Sequence, residues 1–373
     1  MLVISFCFGY KKENYLTNSK YFSLFSNKEM PSVIFFDEKK WKISKILNFM
    51  FPRVEEDFFH KKIANIIVGS IPKKNSISSF VKKPRYGVMG LANNKNNSFF
   101  AATWNGIYKF NLKTNHIERF ISHQLINDPH GIEIKDNKIY SVITPLDMVV
   151  ITDINTGEIL EFFSVNLDLT TDKNNPEILN YDWRFITKQN RGALGHWHFN
   201  DIRVDDEFLY LTSRLTSCIV SINLSSYEVK IKTFSWDTPV MIHDGILDKD
   251  KNIVFTSVDG KILICNKPGS FENKFGYLSN KDFIPLMRRG FVSKSIRIES
   301  LLERKVNWCR GLTDDKENYY TTIDGRYEQS RPYFSLAKIN KKTLQIRTFD
   351  FPYKLLEFPE EIRYMTGFSV LKI

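Results

Sequence analysis

The chain has 373 residues, 42% of them hydrophobic and 14% aromatic, which suffices for a packed core and excludes wholesale disorder. Its formal net charge is +11, but the basic residues are scattered among acidic ones with no dense block. That argues against a nucleic-acid surface and favours a small anionic ligand. Four cysteines, Cys7, Cys218, Cys265 and Cys309, show no CxxC spacing and read as reduced thiols of a cytoplasmic protein rather than a zinc framework.

The N-terminal run "MLVISFCFGYKK" has no basic residue before it and no small-residue cleavage site after it. It is too short to cross a bilayer, so no signal peptide or membrane insertion is expected. It reads as a strand. Further strand candidates in residues 1–50 are "YFSLF" or "VIFFD", and "KWKISKIL". Residues 51–83 read as a partly helical connector.

From residue 84 onward the chain repeats. "VMGLAN", "PHGIEI", "FNDIRV", "HDGILD", "CRGLTD" and "MTGFSV" each set a small or turn-favouring residue before Leu, Ile or Phe. Those residues, Gly90, Gly131, Asp201, Gly245, Gly311 and Gly367, lie 41, 70, 44, 66 and 56 positions apart. Each of the first five motifs opens a series of short alternating strands, as in "FNDIRV", "FLYLTSR", "CIVSINL" and "EVKIKTF". Four strands per repeat of about 40 residues mark the blades of a β-propeller.

The expected fold is therefore all-β, a single six-bladed domain spanning 1–373, with seven blades if the N-terminal region holds further strands. Blade 1 covers 84–127, blade 2 128–165, blade 3 196–240, blade 4 241–278 and blade 5 307–352. Segments 166–195 and 279–306 are read as insertions. Residues 362–373 supply one strand, the innermost of blade 6, which the strands of 1–50 complete. Closure of this kind removes an exposed edge.

The first strand of each blade lines the channel. Just before the repeat positions stand Met89, His130, Asn200, Asp244, Arg310 and Thr366, with His198, His243, Trp308 and Cys309 one or two places earlier. Thus His130, His198 and His243, from consecutive blades, should point at one axis. Both insertions should lid the same face. The competing reading makes each histidine a structural hydrogen-bonding group to the neighbouring blade. His60, His116 and His123 read as surface residues, His196 as a loop or lid residue. Trp197, Trp308 and Tyr364 read as packing between blades. Arg214, which ends "LYLTSR", can grip an oxyanion bidentately or pair with Asp201 or Asp182.

The stretch "HWHFNDIRVDDEFLYLTSRLTSCIVSIN", best over 196–222, resembles the bacterial arylsulfotransferase family in its Asn-x-Ile, acidic turn and Ser-Arg, with Trp197-His198 standing where that family has Trp-x-His. That resemblance implies a six-bladed propeller transferring a sulfuryl group without a cofactor. It makes His243 the nucleophile, with His198 and Arg214 holding the anion and His130 supplied by an earlier blade. Catalytic candidates are then His243, His198 and His130, and substrate-binding candidates Arg214, Arg310, Asn200 and Asp244. "PHGIEIKDNKIYSV" is similar to the repeats of streptogramin lyase. That resemblance implies a divalent metal, Zn or Fe, held by His130, His198 and His243, and lyase or hydrolase chemistry. A non-catalytic binding scaffold, open to a protein partner, is the third reading.

Overall fold

The computed structural model describes residues 1–9, 30–49, 65–70, 86–94, 97–166, 168–185, 197–214, 218–233, 241–248, 252–257, 260–265, 294–302, 306, 308–324, 333–352 and 364–373. They form six antiparallel sheets whose inner strands pack each against the next, closing a ring. This is a six-bladed β-propeller. Blade 1 runs Gly90–Asn94, Ser98–Thr103, Gly106–Asn111 and His116–Ser122 from the axis outward. Blade 2 runs Pro129–Lys135, Lys138–Ile143, Met148–Asp153 and Ile159–Val165. Blade 3 runs Phe199–Val204, Phe208–Ser213, Cys218–Asn223 and Val229–Thr233. Blade 4 runs Ile242–Leu247, Ile253–Ser257, Lys261–Cys265 and Lys294–Arg297; blade 5 runs Trp308–Asp314, Asn318–Asp324, Tyr333–Asn340 and Ile346–Pro352.

Blade 6 is built from both chain regions as expected. Its inner strand, Tyr364–Lys372, pairs antiparallel with Leu2–Gly9, from Leu2 opposite Lys372 to Gly9 opposite Tyr364. Met30–Asp37 and Lys42–Phe49 complete it. The candidate "YFSLF" lies outside the described residues. The connector contributes Ile67–Gly69, a short strand running parallel to His116–Ser122 at the outer edge of blade 1.

Local chemistry repeats with the blades. Asn111, Asp153, Asn223 and Asn340 end the third strands of blades 1, 2, 3 and 5. Each accepts hydrogen bonds from the backbone N–H groups two and three residues on, the side-chain turn these residues favour. Side-chain alternation then distributes the core. Leu2, Ile4, Phe6, Ile34 and Phe36 face blade 5, whereas Val3, Val33 and Phe35 face blade 1. Each of the six blade interfaces has its own apolar cluster in this way. No helix among the described residues is long and apolar enough to cross a membrane.

Two insertions behave differently. Segment 166–195 begins at the end of the outer part of blade 2, adding the edge strand Thr171–Lys173 and the 3-10 turns Pro176–Asn180 and Trp183–Phe185. Its remainder, 186–196, lies outside the described residues. The second insertion was expected at 279–306, before blade 5. Instead the fourth strand of blade 4 is Lys294–Arg297, so blade 4 extends beyond 278, and the extra chain joins its third and fourth strands. Because inner strands run away from the histidine-bearing face, that connection leaves from the opposite face. The sequence between the two strands carries no periodic signal that could have placed the fourth one.

Two outcomes test this architecture. Removing residues 364–373 opens the ring, and cooperative thermal unfolding should disappear, since a domain has only about 5–15 kcal/mol to lose. A Cβ on Gly131 would sit 2.6 Å from the Cα of Asp201, where the inner strands of blades 2 and 3 meet. Gly131→Ala should therefore cost about 1–3 kcal/mol in denaturant unfolding, as overpacking does.

Candidate functional site

The inner strand of blade 1 keeps regular register from Gly90 opposite Ala102 onward. Among the described residues the other five inner strands each slip register near the equivalent place. The slips fall between Pro129 and Ile132, Phe199 and Asp201, Ile242 and Gly245, Arg310 and Leu312, and opposite the Ser5/Phe6 step on blade 6. A bulge bends its strand and re-aims a side chain. Glycine serves two ends here: Gly311 has a φ of +60°, in the left-handed region, whereas Gly131 allows the close approach of Asp201.

These bulges gather His130, Asn200, His243, Asp244, Arg310 and Phe368, all buried. His198 joins them from the residue before the blade 3 inner strand, also buried and with φ of 51°, a rare backbone state for a side-chain-bearing residue. The rings of His130 and His198 meet edge to face at 5.8 Å. His130 and His243 stack at 6.5 Å with an interplanar angle of 18°. Phe368 touches both, at 5.3 Å and 5.4 Å, and the Arg310 guanidinium lies 4.9 Å from the Phe368 ring. The three histidines do converge.

Two of the three imidazoles, those of His243 and His130, are oriented by an oxygen. His243 Nδ1 is 2.6 Å from Asp244 Oδ2, which also accepts the Gly311 N–H at 2.8 Å. His130 Nδ1 is 3.0 Å from Asn200 Oδ1, and its Nε2 is 3.5 Å from Asp128 Oδ1. The backbone of His198 is clamped: its N–H and that of Trp197 donate to the two oxygens of Asp147 at 2.8 Å and 2.7 Å. Trp197 packs between blades 2 and 3, as expected. The side chains of Trp308 and Tyr364 lie outside the described residues, as do His60 and His196.

Arg214 follows the second strand of blade 3 and donates its N–H to the His198 carbonyl, so its backbone is brought beside the site. The carboxylates offered as its alternative partners are engaged elsewhere: Asp201 with Arg203 at 3.1 Å, and Asp182 with Arg184. Phe368 was missed by the sequence reading, which put Thr366 in the ring. The side chain of Thr366 lies outside the described residues. Phe368 clusters with Met89, Trp104 and Cys7, so blades 6 and 1 give the channel an apolar wall opposite the polar one. Among the described residues no group of three His, Cys, Asp or Glu side chains is placed to hold a metal ion. Cys7, Cys218 and Cys309 are buried.

Burial raises the Asp201 carboxyl to about 7 and Asp244 to about 6, against Arg203 and the backbone N–H groups that lower them. A raised carboxyl means the folded chain keeps protons that the unfolded chain releases above about pH 4. Stability from these groups is full below that value and is lost as pH rises through about 6 and 7. Asp201→Asn removes one titration while keeping an acceptor for Gly245. The melting-temperature advantage of the parent over this variant should therefore shrink between about pH 5 and pH 8.

No protein-family model matches the chain, and no curated protein does. Among solved structures, it is similar to a protein of unknown function from Bacteroides caccae, with 9% identity, 98% of each chain covered and a TM-score of 0.49. It is also similar to Kuenenia stuttgartiensis hydrazine synthase, with 10% identity over 76% of this chain and 69% of that one, at a TM-score of 0.43. The fold assignment rests on the six sheets themselves.

Proposed function

We propose that the protein is a propeller enzyme that transfers a sulfuryl-type group from a small anionic aryl ester, through His243 in the central channel. The observation that carries this reading is the buried His243–Asp244 contact at 2.6 Å beside a second, stacked imidazole and an arginine. A carboxylate on Nδ1 fixes the tautomer whose Nε2 lone pair can attack. In the first half-reaction Nε2 bonds to sulfur, the sulfur–oxygen bond to the aryl group breaks, and His130 protonates the departing oxygen. In the second an acceptor hydroxyl attacks sulfur, the nitrogen–sulfur bond breaks, and His130 takes the hydroxyl proton. Arg310, Arg214, His198 and the Asn200 amide hold the oxyanion. The apolar wall of Phe368, Met89 and Trp104 suits the aryl body.

The divalent-metal lyase reading keeps one supporting observation. Nδ1 of both His130 and His243 faces an oxygen, the arrangement that orients imidazoles towards metals. As placed, the three rings do not form a metal-holding group, so no step is assigned to a metal.

With 4-nitrophenyl sulfate and a phenol acceptor, the parent should release nitrophenolate, and a sulfo-histidine should be trapped on the peptide containing His243. His243→Ala should abolish turnover with the fold retained. Arg214→Lys should lower it by about 100-fold to 1000-fold, the usual cost of a lost preorganised donor. Stoichiometric zinc or iron in the purified protein, lost in His243→Ala, would favour the lyase reading. Parent-like behaviour of both variants in every assay would leave a binding scaffold.

A further inference from the structure

A second cavity lies on the flank of the ring, between the outer edges of blades 1 and 2 and away from the channel residues. Its volume is about 480 Å³, within the range that holds small molecules. Ser70 and His123 line it from blade 1 and its exit loop; Glu158, Leu160 and Phe162 line it from blade 2; Leu179 comes from the first insertion. His123, expected at the surface, is half-buried here.

Three independent features mark this cavity. Ser70 Oγ and His123 Nδ1 are buried yet have no hydrogen-bond partner, whereas buried polar atoms are nearly always paired. Leu160 and Leu179 stand 48% and 40% exposed, and they are two of the five large exposed hydrophobic residues among those described. Their meeting at one mouth is what an apolar ligand needs. The charge is one-sided as well. Lys173 is paired with Glu161 at 3.3 Å and Arg184 with Asp182, while Glu158 has no ion-pair partner among the described residues. Burial and the nearby Arg184 hold His123 down to about 4, so at neutral pH it adds no positive charge and can accept a hydrogen bond.

We propose that this cavity is a second binding site, for a small molecule with an apolar body and an ammonium group. The apolar body lies against Leu160, Phe162 and Leu179, and the ammonium donates towards Ser70, His123 and Glu158.

Calorimetry on the full-length protein with hexylammonium, hexanol and hexanoate separates the contributions, because the three share one chain and differ in head group. Hexylammonium should bind saturably and about fivefold tighter than hexanol, the upper range for a partly exposed charge pair, with hexanoate weakest. Leu160→Trp, at an exposed position, should block all binding, and Glu158→Lys should erase the preference for the cation while hexanol still binds. His243→Ala should leave the titration unchanged. Equal binding of the three probes, or a preference for hexanoate, would overturn the ammonium assignment. Absence of saturable binding, binding untouched by Leu160→Trp, or loss in His243→Ala would overturn the site.

Discussion

One oxygen atom of Asp244 fixes both the ring of His243 and the seam between blades 4 and 5, by accepting from His243 Nδ1 and from the Gly311 N–H. The same economy recurs around the channel. Asp201 accepts the Gly245 N–H and ties blade 3 to blade 4, and Asp147 ties blade 2 to blade 3 through Trp197 and His198. Asn200 does so through His130. A buried donor or acceptor must find a partner, and a bulged strand cannot supply every one within its own sheet. The neighbouring blade supplies them. The polar side chains that would do chemistry are therefore the ones that hold consecutive blades in register.

Polar contacts of this kind are a poor source of net stability. Arg203 illustrates the reason: half-buried itself, it bridges the buried Asp201, the half-buried Glu133 and the Gly245 carbonyl. Breaking such a network is costly chiefly at its buried end, where Asp201 is then left without its partner. Forming it gains far less, since both charges had to leave water. Net stability comes from the six apolar clusters between blades, where alternating side chains such as Ile34 and Val33 serve opposite neighbours. The polar centre specifies how the blades align, and the apolar interfaces hold them together.

Much of this was legible in the sequence because it rests on local patterns. Repeated turn residues mark the hairpins, alternation marks the strands, and the single strand around Gly367 needs partners, which only the unassigned N-terminal strands could provide. Convergence of His130, His198 and His243 followed from their shared position relative to the repeat. What could not be read depends on geometry beyond the motif. A bulge changes which residue faces the axis without changing composition, so nothing in the motif marked Phe368. Asp147 reaches His198 from a neighbouring blade, and no spacing announces that. The fourth strand of blade 4 follows a long connection, so counting residues from the third strand missed it.

The repeat also explains how equivalent positions come to hold unequal chemistry. Asp244 follows His243 directly, so that imidazole meets a carboxylate of its own strand. Gly131 follows His130, because the Cα of Asp201 leaves no room for a side chain, so His130 turns to the neutral amide of Asn200. A carboxylate would by itself draw a second proton onto His243. Here the Gly311 N–H and the positive charge of Arg310 also act on Asp244 and take up part of its charge. His130 instead has Asp128 Oδ1 3.5 Å from its other nitrogen. Two stacked rings of the same residue type thus meet a carboxylate in one case and a neutral amide in the other, a difference set by single neighbouring residues.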